Sequence, residues 1–250
     1  VPQGIRFDNA TVMAESVRAD ARGQWLNTVD GQHSTLNATI ESKDVAATLR
    51  ALNYTPFIEA KRGAIKADLA WEGGYDGNIL EHASGAIRVE AETGQLVNLQ
   101  PGAGRVLGLF SVGALPRRLA LDFSDLTEKG LAFDTVHGDF ELPDGNAYTS
   151  NLLLRGPAAE IGIAGRTGLG TRDYDQTAVV TGNLGASLPV AAALAGGPVV
   201  GAAILLFSQV FKEPLKGITR GYYRITGPWD DPVVERVDAA DAKAEATSGD

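Results

Sequence analysis

The sequence predicts a mainly β protein with a few inserted helices, organised as a long twisted antiparallel sheet. Three observations carry this expectation. Apolar and polar residues alternate with period two along much of the chain, as in strands with one greasy and one wet face. The 30 glycines punctuate short segments instead of forming a low-complexity tract. Helical signals fall between groups of strands and not after every strand, unlike a doubly wound sheet.

The strands follow in order. Ile65, Ala67, Leu69 and Trp71 oppose Lys66, Asp68 and Glu72, and Ile87, Val89 and Ala91 oppose Arg88 and Glu90. Leu119, Leu121 and Phe123 oppose Asp122, Phe140 and Leu142 oppose Asp139 and Glu141, and Ile161 and Ile163 sit between glycines. Residues 84–99 and 137–154 read as two related hairpins, turning at Thr93-Gly94 and at Asp144-Gly145. A helix is expected over 42–54, capped by Ser42, with Val45, Leu49 and Leu52 at helical spacing. A second is expected over 101–115, opened by Pro101 and closed by Pro116, and a third lies within the uncharged run that begins after Asp175 and ends at Lys212. The domain expectation is a sheet segment over 1–83, a second sheet unit over 84–235 with helices at 101–115 and 188–212, and a disordered acidic tail over 236–250.

Charge excludes some functions. With 31 Asp plus Glu against 22 Lys plus Arg, the formal charge of −9 disfavours a nucleic-acid binder. The chain has no cysteine, so disulfides and thiolate metal sites are absent, in keeping with an oxidising compartment. The opening residues carry no basic region followed by an apolar one, so the chain is expected to be a piece of a longer protein whose export signal or anchor lies upstream.

No catalytic, metal or cofactor site emerges. Gly102, Gly104 and Gly108 imitate a dinucleotide fingerprint, with Asp122 beyond, but QLVNLQ makes a poor buried parallel strand and Pro116 cuts the following helix short. This leaves a dinucleotide-binding enzyme as a remote alternative. His33, His82 and His137 are too far apart for metal-ligand spacing. Asp122 with Asp125, and Asp173 with Asp175, fall on polar faces or in turns, where solvated acids are the rule. The remaining feature is the amount of apolar surface on one sheet face. It fits either a sheet closed over an ordinary core or an open groove lined for lipid.

The stretches PGAGRVLGL, LPRRLALDFSD, KGLAFD, GPAAEI, RDYDQT and LPVAAALAGGPVVGAA, followed by YRITGPWDDPVV, resemble the C-terminal region of the AsmA-like envelope proteins of the YhdP type. The resemblance covers about residues 84–235. It implies a twisted antiparallel sheet folded into an apolar groove, part of a bridge that crosses the periplasm of Gram-negative bacteria from an inner-membrane anchor. Phospholipid tails would travel along that groove between the inner membrane and the inner leaflet of the outer membrane, with an envelope protein as a further partner. The groove lining it implies is Leu119, Leu121, Phe123, Leu131, Phe133, Phe140, Leu142, Leu152, Leu154, Ile161 and Ile163. Arg117, Arg118 and Arg155 are candidate head-group contacts at the rim, with ordinary surface solvation as the favoured alternative for each. No catalytic residue is implied, and the rival reading is a closed, non-transporting module that braces the envelope or docks a partner.

Residues 187–211 contain no charge. As one helix they would reach about 37 Å, enough for a bilayer. Pro198, after Gly196 and Gly197, favours two short helices instead, since proline suits the first position of a helix and disrupts its interior. Val200, Ile204, Phe207 and Phe211 then form one stripe on the second helix. The expectation is an apolar helical hairpin at the end of the groove, sealing it or contacting the membrane through those four residues.

Overall fold

The computed structural model describes residues 3–74, 79–97, 130–157, 159–182 and 219–237. Their strands form one antiparallel sheet whose spatial order is the chain order. They are β1 (Gln3–Met13), β2 (Val17–Thr28), β3 (Gly31–Ser42), β4 (Ile58–Glu72), β5 (Ser84–Leu96), β6 (Leu131–Leu142), β7 (Asn146–Arg155), β8 (Ala159–Gly168), β9 (Asp173–Gly182), β10 (Thr219–Pro228) and β11 (Val233–Val237). Among the described residues β1 pairs only with β2 and β11 only with β10, so the sheet is not a closed barrel. The expected mainly β, antiparallel class is therefore observed.

Two local expectations change. Residues 84–96 make one strand, with no hairpin at Thr93-Gly94. The reason is the ladder on both sides: β4 pairs through Arg62↔Glu92 and Ala60↔Gly94, and β6 through Glu92↔Thr135 and Gly94↔Phe133. Thr93 takes a positive φ of 48°, and the strand absorbs it without reversing. The other hairpin turns where expected. Asp144 and Gly145 have φ of 45° and 70°, and Asn146 N donates to the Pro143 carbonyl at 3.1 Å, the two positive angles of a type I′ turn.

The first helix is shorter than expected, α1 (Val45–Ala51), and its cap is Asp44 instead of Ser42. The Asp44 carboxylate accepts from Ala47 N at 2.9 Å, satisfying one orphan donor of the first turn. Ser42 instead accepts from Asp44 N and bonds the Thr48 hydroxyl. Thr48 also reaches Ser16 Oγ at 3.0 Å, tying the helix to the β1–β2 turn. The expected helices over 101–115 and 188–212 lie outside the described residues. β11 runs to Val237, so the first two residues of the stretch assigned to the acidic tail are strand, and the residues after them lie outside the described ones.

Candidate functional site: an uncharged sheet face

Side chains alternate across a strand, and residues paired in register share a face. Register therefore maps the faces of the whole sheet. One row reads Phe7, Gly23, Leu36, Leu69; the next reads Ala10, Ala21, Ala38, Ala67, then Ile87 and Phe140; a third reads Val12, Ala19, Ile40, Ile65, then Val89. A fourth crosses from β2 to β10 as Val17, Ser42, Gly63, Ala91, Val136, Leu154, Ile161, Val180 and Gly221. No residue in these rows carries a charge.

The opposite face takes the ions. Arg18 pairs with Asp20, Arg62 with Glu92, Arg88 with Asp139, Arg155 with Glu160, Arg166 with Asp173 and Arg224 with Asp175. Most of these pairs are substantially exposed and contribute little to stability. Their consequence is directional: on β2 to β7 the face that carries them faces water.

Irregularities keep the apolar face continuous where the alternation slips. In β1 the register shifts between Phe7 and Ala10, so Ile5 and Phe7 on one side of the bulge stay on the same face as Ala10 and Val12 on the other. In β7 the shift falls between Thr149 and Leu152. There Asn151 fills the disrupted ladder: its Oδ1 accepts from Asp139 N at 2.9 Å and its Nδ2 donates to Asp139 Oδ2 at 2.8 Å. Across β4, β5 and β6 the buried positions change parity together around Lys61, Thr93 and Asp134, which brings Ala60, Leu96, Leu131 and Phe133 into the same core cluster as Ile87 and Phe140.

Exposure along this face is graded. On β1 to β4, Ile5, Val12, Ile40 and Ile65 are 61%, 64%, 36% and 41% exposed. One strand beyond Ile65 its row partner Val89 is 3% exposed, and from there to β11 the face is closed by the chain itself. β8 and β9 are buried on both faces, with Ala164 and Val179 covered on the reverse side. At one border of the apolar face α1 packs on β4: a Cβ added to Gly63 would come within 2.7 Å of Val45 Cγ2.

The residues expected to line a groove divide accordingly. Leu131, Phe133, Phe140, Leu142, Leu152, Leu154, Ile161 and Ile163 fall together in one buried cluster, each 7% exposed or less. Leu119, Leu121 and Phe123, the membrane candidates Val200, Ile204, Phe207 and Phe211, and Arg117 and Arg118 lie outside the described residues, as do Gly102, Gly104, Gly108, Asp122 and Asp125. Arg155 is engaged by Glu160 at 3.1 Å. Asp173, hydrogen bonded by the Arg166 guanidinium and the Thr171 hydroxyl, is held below the usual carboxylate range against a smaller opposing effect of burial. Burial pushes the Tyr174 phenol upward. His137 lies between Glu90 and Asp139, at 3.7 and 3.4 Å, and among the described residues no group of three acids or histidines is placed to hold a metal ion. None of their helices is long and apolar enough to cross a membrane.

The sequence did not mark the accessible part of the face as a lining. The alternation Leu36-Asn37-Ala38-Thr39-Ile40-Glu41 was present, but alanine is a weak apolar marker, and in β1 the bulge at Asp8-Asn9 broke the period.

A model of the YhdP protein family matches residues 2–234. Over 234 residues, 93% of this chain, the sequence is 30% identical to the intermembrane phospholipid transporter YhdP of Escherichia coli (strain K12), of whose length the chain spans 18%. No solved structure matches. Matched along nearly its whole length, this chain belongs to the YhdP family.

Proposed function

We propose that this chain is the outer-membrane-proximal end of a periplasmic lipid conduit, shielding phospholipid tails on the uncharged face of its sheet. The observation that carries the proposal is the uncharged apolar face that continues across the strands and is accessible at Ile5, Val12, Ile40 and Ile65 on β1 to β4, while Ser34, Leu69 and Trp71 on β3 and β4 are covered. Burial of apolar surface is non-directional, so such a face holds a tail without fixing its position and lets it slide. Covering about 15 methylenes would contribute on the order of 12 kcal/mol, at about 0.8 kcal/mol each. Family membership supports the same reading, because the E. coli relative is an intermembrane phospholipid transporter.

In this reading the tails lie within an apolar groove, and Leu131, Phe133, Phe140, Leu142, Leu152, Leu154, Ile161 and Ile163 form its closed end, packed by the chain's own side chains. Val200, Ile204, Phe207 and Phe211 would contact the inner leaflet of the outer membrane. The resemblance of residues 84–235 to the C-terminal region of the YhdP type supports that placement.

The test uses a photoreactive residue placed at Ile65 or at Lys66 in the full-length protein in bacteria, irradiated and analysed by mass spectrometry. Phospholipid adducts at position 65 and not at 66 are expected. Equal labelling, or none at 65, would overturn the proposal.

A further inference from the structure

The accessible part of the apolar face has relief. Ala10, Ala21, Ala38 and Ala67 lie side by side on β1 to β4, and each contributes only a methyl group. On one side runs the row of Phe7, Gly23, Leu36 and Leu69. The Phe7 ring lies over Gly23, where an added Cβ would come within 2.8 Å of Phe7 Cζ, so this row is filled even at its glycine. On the other side Val12, Ile40 and Ile65 stand up, with Ala19 between them. The two ridges are four residues apart along β3, from Leu36 to Ile40, or about 13 Å at 3.3 Å per residue. Between them lies a furrow, one residue row wide, running across the strands.

Two properties define its occupant. None of the side chains in the three rows carries a heteroatom, so charge complementarity favours a ligand without charge or hydrogen-bonding groups. A peptide laid in the furrow would bring backbone N–H and C=O groups that these side chains cannot satisfy, at a cost of several kcal/mol for each group left unpaired. A hydrocarbon chain brings none. The furrow also has an end. The alanine row continues into Ile87, 6% exposed, and Phe140, 1% exposed, where large side chains fill the space that the alanines leave open.

We propose that the alanine row is the seat of a single lipid acyl chain, and that Ile87 with Phe140 forms its stop, so that lipid occupancy ends at the border between β4 and β5. This rests on the lipid-shielding reading and deepens it by assigning the track and its terminus. A phospholipid carrying a diazirine on one acyl chain, supplied to the full-length protein in vesicles and irradiated, tests it through peptide mapping of the adducts. The expected adducts fall on Ala21, Ala38 and Ala67 and on the flanking Leu36, Ile40 and Ile65, with none on Ile87 or Phe140. Filling the furrow with Ala38→Leu and Ala67→Leu should lower adduct yield at least tenfold, whereas Lys66→Leu on the opposite face should leave it unchanged. Adducts on β5 and β6 as frequent as those on β1 to β4 would overturn the stop. Adducts confined to β1 to β4 but insensitive to the two leucines would overturn the track and leave the proposed function standing. No adduct on any apolar row would remove both.

Discussion

The graded exposure of the apolar face makes a quantitative prediction about two isoleucines that sequence pattern alone treats alike. Ile163 is 0% exposed and Ile65 is 41% exposed, on the same face of the same sheet. Ile163→Ala removes buried methyl groups and leaves a cavity, which costs about 3.5 kcal/mol in a packed interior. Ile65→Ala removes roughly 2.4 kcal/mol worth of carbon at full burial, scaled to the covered 59% of the residue (100 − 41), or about 1.4 kcal/mol. No enclosed cavity forms there, so no further term is added. Both variants lose a similar amount of strand propensity, which leaves a difference of about 2 kcal/mol. Equilibrium urea unfolding of delipidated protein reads it directly. With a slope of about 2.5 kcal/mol/M, the midpoint should fall by about 1.4 M for Ile163→Ala and about 0.6 M for Ile65→Ala. Equal shifts at unchanged slope would refute the grading, and with it the idea that β1 to β4 present an open surface while β8 sits in a closed core.

Two further outcomes follow from local geometry. Gly145→Ala should destabilise by more than 1 kcal/mol, because φ there is 70° and the new Cβ would lie 2.0 Å from the Glu81 carbonyl oxygen; thermal unfolding checks it, and a neutral result would contradict the turn geometry. Asp173, whose folded pKa is depressed by Arg166, contributes stability above its ordinary value of 3.8 and loses it as pH falls through the lower folded value. Asp173→Asn should therefore lower stability at neutral pH and flatten the acid limb of the stability profile below about pH 4, as followed by urea titrations at several pH values.

The class of fold was legible because long strands with one buried face write their period into the sequence, as in Ile87-Arg88-Val89-Glu90-Ala91. What was not legible sits where the structure departs from that period. Thr93-Gly94 looks like a turn, yet its neighbours hold it in a strand, and no single-chain pattern reports a ladder formed by β4 and β6. Ser42 and Asp44 are both acceptable caps, and only backbone geometry chose between them. For the candidate site, the large residues of β6 to β8 announced themselves by size, but size selects the places where the chain fills its own interior. The accessible furrow is made of alanines and was silent for the same reason it is open: a small side chain contributes little to any hydrophobic signal and leaves room above it.

The identity of strand order and chain order has a consequence for how such a sheet assembles. Among the described residues every strand after the first pairs with the preceding one, and no later strand is inserted between two earlier ones. Pairings between sequence neighbours close comparatively small loops, the condition under which chains order fastest for their size. A polypeptide threaded N-terminus first into a compartment can thus add strands to a growing edge as they emerge. Each intermediate presents a free edge at its newest strand, and the next strand of the same molecule, tethered beside it, outcompetes any stranger for that edge.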